Sequence, residues 1–433
     1  MSKTNFNQTP ILNTLQEYLS KKPLRMHVPF HCGNANNDIF PKGLYGLDVS
    51  EVSGYDLEGE DNPIFQSEKV TASYFNVEHS FYLTGGASIG LVSAMIALRK
   101  YGRKVILARN VHKSVINGVI LAGLEPLWLD VDFDSEWGVY SKVNPDNLSS
   151  ILKNNSDIAG CVIVSPTYEG VISNVEVISQ ECHKNNIPLI VDEAHGGHLF
   201  FLGDVASRGV ACNASTADIV IQSWHKSLGS LTQSGVMHLV NNKYFTYDDL
   251  KRSLDLVSST SPSFLLLLSL ELTRKFFAVE SCHGMTLRGI LNLSMLFKQE
   301  IKQIQNIFLF ENDDPLKIYL KSNSLSGIDF AYKLYKDYSI EIESANEIGF
   351  LMLIGSGFNK IAIEKIINAM RSIMPRHDAT VMINLPKPTI NEFTMLPRNA
   401  FFAGFKKNDY AYECNVKAPC PPGYALKIPG SKK

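Results

Sequence analysis

The chain has 433 residues, which at about 100–200 residues per domain implies two or three domains rather than one small core. Its 41 Lys and Arg nearly balance its 43 Asp and Glu, so no broad field draws it to nucleic acid or an anionic membrane, and a small molecule is the expected partner. The seven cysteines (32, 161, 182, 212, 282, 414 and 420) include no C-x-x-C pair. That odd count argues against a disulfide framework or a thiolate metal site and fits a reducing cytoplasm. The N-terminus has no apolar h-region, and the longest apolar run, Phe264 to Leu268, is far short of the roughly 18 residues a spanning helix needs. Neither targeting nor membrane insertion is expected.

In chain order, a helix is predicted over Ile11–Leu19, followed by a loop-rich stretch from Pro23 to Asn62. This segment, taken as residues 1–75, cannot bury much alone and is expected to pack on the large domain or on a partner subunit. Apolar runs at Phe81–Leu83, Val105–Leu107, Pro126–Leu129, Cys161–Val164, Pro188–Val191 and Ile219–Ile221 read as buried strands. Helical spacing fills the intervals at Leu91–Lys100, His112–Ala122, Pro145–Lys153 and Val175–Lys184. The alternation predicts an α/β domain over 76–310, with a mostly parallel sheet and helices on both faces. Helices are then expected at Tyr244–Leu256, Pro262–Val279 and Thr286–Ile307. A smaller C-terminal α+β domain, 311–433, is expected to hold helices at Gly327–Tyr338 and Asn359–Met374 and strands at Ile340–Ile342 and Phe350–Leu353.

The chemistry gathers at strand ends. Asp192 closes the run Pro188–Val191 and is followed by Glu193-Ala194-His195; Lys226 follows Ile219–Ile221 in Ser223-Trp224-His225-Lys226. A carboxylate and an amine at the carboxyl edge of one parallel sheet are what pyridoxal-5′-phosphate (PLP) chemistry needs: the amine forms an imine with the cofactor aldehyde, and the carboxylate keeps the pyridine nitrogen protonated. Singly, such an Asp is usually a helix cap or ion partner and such a Lys a solvated charge; their order and spacing favour the joint reading. Asp-Glu-Ala-His is also an NTPase motif, but no G-x-x-x-x-G-K-[ST] loop precedes it. A zinc reading of His195 and His198 lacks further ligands, so no metal is expected. Gly85-Gly86-Ala87-Ser88 opens a helix and suits a phosphate. His112, after another strand, can stack a flat ring on the cofactor.

These residues, with Asp48-Val49-Ser50-Glu51, Arg109 to Ser114, Ser165-Pro166-Thr167-Tyr168-Glu169-Gly170 and Thr260-Ser261-Pro262-Ser263, resemble the ornithine/lysine/arginine decarboxylases over about residues 29–274. That family has the aspartate-aminotransferase-like fold of type I PLP enzymes. The resemblance implies that Lys226 carries the cofactor as a Schiff base, Asp192 pairs with the pyridine nitrogen, and His112 and Ala194 flank the ring. It also implies that Ser88, Ser223 and His225 hold the phosphate, with Ala87, Thr167 and His195 in the same shell. Ala87 stands where the family commonly has a hydroxyl. A homodimer or higher oligomer is implied, with Thr260 near the partner's cofactor and Glu51 and Arg398 as further substrate or partner-subunit candidates. The C-terminal signatures depart from the family pattern at Leu396, Asn399, Tyr410–Asn415 and Ser431. The function this implies is decarboxylation of lysine, ornithine or arginine to the amine, in polyamine metabolism. The alternatives are another reaction of the same fold, such as transamination or aldol cleavage, and a catalytically silent PLP-binding paralogue.

Overall fold

The structure is a computed structural model. It describes residues 5–33, 43–56, 59–206, 217–283, 285–374, 387 and 395–403, with the side chains of 203–206 and 280–286 excepted. The signatures expected over Tyr410–Asn415 and at Ser431 lie outside the described residues.

In chain order the strands are β1 (His79–Leu83), β2 (Lys104–Ala108), β3 (Glu125–Leu129), β4 (Val131–Asp134), β5 (Val139–Val143), β6 (Ile158–Val164), β7 (Leu189–Asp192), β8 (Ile219–Gln222), β9 (Gly235–Leu239), β10 (Ile307–Leu309), β11 (Lys317–Ser322), β12 (Ser344–Ala345) and β13 (Gly349–Leu353). Seven form one sheet in the order β1-β9-β8-β7-β6-β2-β3. From β8 to β3 every pairing is parallel, while β9 is antiparallel to both neighbours. Two reversals restore direction, so β1 runs with β8. The carboxyl ends of β1, β2, β6, β7 and β8 therefore share one edge.

Strands β7 and β8 are buried along their whole length, which is why Pro188–Val191 and Ile219–Ile221 read as unbroken apolar runs rather than alternating ones; β9 is equally buried but was not read from the sequence. The predicted helices of this region form as Gly86–Leu98, Lys113–Ala122, Pro145–Asn154 and Val175–Lys184. Side-chain caps from Asn144 and Asn174 start the last two. Among the described residues no helix is long and apolar enough to cross a membrane.

A four-stranded antiparallel sheet, β10-β11-β13-β12, follows. Its core joins Ile318, Leu320 and Phe350 to Phe330 and Leu334 of helix Gly327–Tyr338 and Ile363 and Ile367 of helix Lys360–Ile373. The N-terminal helix, Pro10–Ser20, buries Ile11, Leu15 and Tyr18. The Glu271 carboxylate takes the N–H groups of Ile11 and Leu12 at 3.0 and 2.8 Å, a negative charge on the positive end of the helix.

Several expectations are corrected. The helix predicted to reach Ile307 ends at Ile301; Asn306 takes a left-handed conformation, φ 66°, and Ile307 opens β10. Ile340–Ile342 is not a strand: Ser339, at φ 52°, ends the preceding helix and Ile340 donates back to the Leu334 carbonyl at 3.0 Å. The short strand lies two residues on, at Ser344–Ala345. Helix Pro63–Phe75 was not anticipated, although Asn62 caps it and Pro63 stands in its first turn.

Candidate active site

The shared edge of the large sheet carries a cavity. It is lined by Ala87 and Ser88 beyond β1, Asn110 and His112 beyond β2, Thr167 and Tyr168 beyond β6, Asp192, Ala194 and His195 at β7, and Ser223 and Lys226 beyond β8. Each strand delivers its residues because its last buried position fixes where the following turn starts. The opposite wall comes from the small sheet and the β4–β5 hairpin: Tyr319, Ser344, Ala345, Asn346, Gly138 and Tyr140.

Asp192 is 3 % exposed and accepts from the Ala194 N–H at 3.1 Å. Burial raises its carboxyl to about 6, against the lowering effect of that bond and of Lys226. The Lys226 amine lies 3.1 Å from Nε2 of His195. Burial first, then the charges of Lys226 and Lys317, hold His195 well below the usual imidazole range, so its ring is neutral and can accept from Lys226. His112 caps its helix by accepting from the Ser114 N–H at 3.2 Å, with the Ser114 hydroxyl at 2.7 Å from the same nitrogen. Burial and the Lys226 and Lys113 charges push it down to about 4, leaving a flat uncharged ring.

The helix that begins at Gly86 has no side-chain cap, so its first N–H groups face the region of Ala87 and Ser88 and can bind an anion. Gly235 lets β9 approach this point: a Cβ there would stand 2.7 Å from the Gln222 carbonyl oxygen and 3.0 Å from the Ala87 nitrogen. Asn110 Oδ1 is buried and has no hydrogen-bond partner among the described residues.

Of the sequence candidates, Lys226, Asp192, His112, Ala87, Ser88, Ala194, His195, Ser223 and Thr167 are brought together in this cavity. His225 turns its Nδ1 to the Ser234 carbonyl at 2.8 Å and lines a neighbouring cavity, which also touches His195, His198, Lys226 and Lys317. Glu51 and Thr260 are exposed and line neither cavity. Arg398 donates to the Leu121 carbonyl at 3.1 Å, on the outer surface beside the end of helix Lys113–Ala122. Sequence reasoning gave no role to Asn110, Tyr168 and Glu169, although they stood inside quoted motifs. It did not find Tyr319 or Ser344–Asn346, which carry no motif.

The family model described as "Orn/Lys/Arg decarboxylase, major domain" matches residues 9–351. An arginine decarboxylase of Bacillus subtilis (strain 168) is 27 % identical, over 98 % of this chain and 91 % of that protein. The solved constitutive lysine decarboxylase of E. coli superposes with a TM-score of 0.76 at 16 % identity, over 98 % of this chain and 76 % of that one. An SPT solved with PLP gives 0.56 at 15 % identity, over 71 % and 75 %. The fold is thus the α/β fold of type I PLP enzymes. Within that class the chain belongs to the Orn/Lys/Arg decarboxylase family.

Proposed function

We propose that this chain is a PLP-dependent decarboxylase that converts a basic amino acid (lysine, ornithine or arginine) into the corresponding amine and CO₂. The observation that carries the reading is the convergence of Lys226, Asp192 and His112 on one cavity from three strand ends, in a member of this family. The donor set fits PLP. Asp192 is a buried carboxylate suited to hold the proton of the pyridine nitrogen, and the flat neutral ring of His112 is suited to stack on the cofactor. The uncapped helix start beside Ser88, together with Ser223, suits the phosphate. Asn110 Oδ1 is available to accept a hydrogen bond from a bound molecule.

When bound, PLP supplies an electron sink for the pair left on Cα as the carboxylate departs. The chain's own residues do the rest. Lys226 provides the amine that anchors and releases, and its hydrogen bond to neutral His195 orients it. Lys226 is placed to return a proton to Cα, with neutral His195 as its hydrogen-bond acceptor. The walls limit how the substrate turns, which fixes the bond that aligns for cleavage.

The working unit in this reading is a homodimer or higher homo-oligomer in the cytoplasm. Leu24, Met26, Val28 and Phe30 alternate along the N-terminal segment at 88, 84, 67 and 101 % exposure, a row of large apolar side chains that a second copy would cover. Light scattering on purified protein checks this; a monomer at micromolar concentration would refute it.

The test of function is to load the protein with PLP, reduce it with borohydride, map the label, and quantify CO₂ and amine from lysine, ornithine and arginine in turn. A label on Lys226 and stoichiometric CO₂ with one of the three is expected. A label on Lys226 with no CO₂ from any of them would sink the decarboxylase reading and keep the cofactor.

A further inference from the structure

Behind the Lys226–His195 pair stands a side chain that no step above uses. Lys317, from the first position of β11, is 3 % exposed. Its ammonium donates to the Thr167 and Tyr168 carbonyls at 3.1 and 2.8 Å and lies 5.9 Å from the centre of the Tyr168 ring. The Tyr168 ring in turn meets His195 edge-on, 4.7 Å between centres at 83°. Taking an ammonium out of water is costly even where carbonyls accept its protons, so a buried lysine at this place calls for a role beyond filling space.

We propose that Lys317 is a positioning residue of this site: the small sheet inserts its ammonium behind His195, where it fixes the Thr167–Tyr168 turn and keeps the His195 imidazole an acceptor for Lys226. The inference rests on the functional reading of Lys226 given above. The hydrogen bond at 3.1 Å between Lys226 and His195 exists only while the imidazole is neutral, because a charged imidazole has no acceptor. Burial is the first cause opposing protonation of that ring, and the Lys226 and Lys317 charges add to it.

The charged and titratable groups around His195 come from every side: Lys226 beyond β8, His112 beyond β2, Tyr168 beyond β6 with Glu343 on its hydroxyl, His198 on its own segment with Asp314 at 3.0 Å, and Lys317 on β11. Of these, Lys226 and Lys317 are the lysine cations, and Lys317 is the contribution of the small sheet. Lys317 itself faces Asp314, Glu169 and Glu343, which favour its charged form, while burial and Lys226 oppose it and bring it down to about 8. It is therefore mostly charged at neutral pH.

The experiment is a pH titration of the His195 ring by histidine-selective ¹⁵N NMR on the full-length protein as purified, for wild type, Lys317→Met, Lys317→Gln and Lys317→Arg. Lys317→Gln retains a donor for the turn without the charge, and decides the matter if Lys317→Met does not fold. In the neutral variants the His195 midpoint should rise on the order of one pH unit, the size of a near charge's effect, and Lys317→Arg should restore the wild-type curve. If His195 titrates identically in wild type and a folded neutral variant, the proposal is overturned. A purely structural role would loosen the turn in Lys317→Met without rescue by charge. The titration does not depend on added PLP, so it stands apart from borohydride mapping of Lys226, whose failure would count against the function instead.

Discussion

The two walls of the cavity are built differently. On the large-sheet side, Lys226, Asp192 and His112 sit within a few residues of buried strand ends, so the sheet's hydrogen-bond ladder fixes their origins. On the other side, the small sheet touches the cavity through Tyr319 and Ser344–Asn346; some of its polar ties to the large domain run to Trp137, Glu136 and His198, and a cluster of others gathers on one turn. Lys317 holds the Thr167 and Tyr168 carbonyls, Asn312 donates to the Glu169 carbonyl at 2.6 Å, and Tyr168 donates to Glu343 at 2.5 Å. The backbone N–H groups of Asp313 and Asp314 reach the Gly170 carbonyl at 3.0 Å. Groups that act on bonds need a rigid origin, whereas a wall that shapes the bound molecule can hang on a turn. The turn 167–170 is then where the small sheet's position is transmitted to the chemistry.

Substitutions on the two walls should separate accordingly. Lys226→Ala, on the rigid wall, should abolish amine production by on the order of a thousandfold or more while thermal unfolding stays within a few degrees. A variant that retained a tenth of the activity would move the essential amine elsewhere.

Asp192→Asn should lower activity on the order of a hundredfold yet stabilise the cofactor-free chain. The Asp192 carboxyl, raised to about 6 in the folded chain from an ordinary value near 4, binds its proton more tightly folded than unfolded. Its ionisation therefore costs stability as pH rises from about 4 to 6, and above 6 the cost is complete, about 2–3 kcal/mol. Asparagine can still accept from the Ala194 N–H without that cost. Denaturant unfolding at pH 7 without PLP should show the variant more stable, and saturating PLP should narrow the gap; equal stability without PLP would mean that Asp192 already has a cation.

His112 works in the opposite direction. With its folded value near 4 and its unfolded value near 6.5, its contribution is complete above 6.5 and is lost as pH falls towards 4, by at most about 3 kcal/mol. Asn is a good N-cap, so His112→Asn should keep the helix start and flatten the acid limb of stability between those pH values. An unchanged limb would show the ring already able to hold a proton when folded.

The unequal construction also explains what the sequence disclosed. Strands β6 to β8 were legible because burial on both faces makes their apolar runs continuous, and the polar residue that ends each run marks the sheet edge. Asp192 and Lys226 were found that way. Tyr319, Ser344 and Asn346 sit in short antiparallel strands and turns of ordinary composition, and their place at the cavity is set by how the small sheet lies on the turn 167–170. Lys317 reads in sequence as one more surface lysine, and only its burial reveals its role. Strand β11 itself, Lys-Ile-Tyr-Leu-Lys-Ser, was passed over because it sits between two stretches read as helices. Asn110 and Tyr168 were inside recognised motifs, but a motif does not say which of its side chains face inward.

The smallest effect, and the one that most directly probes the hanging wall, is expected from Tyr168→Phe. The change deletes one hydroxyl and leaves the ring that meets His195 edge-on. What is lost is a hydrogen bond to the charged Glu343 at 2.5 Å in a half-buried setting, worth about 1–2 kcal/mol in stability after solvent competes for the carboxylate. If the turn 167–170 transmits the small sheet's position, kcat/KM for the preferred amino acid should also fall by about fivefold, as a slight misplacement of substrate costs more than the bond itself. Borohydride labelling of Lys226 should stay complete, since no residue of the rigid wall has moved. Loss of stability without any change in kcat/KM would make the link between Tyr168 and Glu343 simple packing. Loss of labelling as well would mean that the two walls are one, with the large-sheet residues depending on the small sheet for their placement.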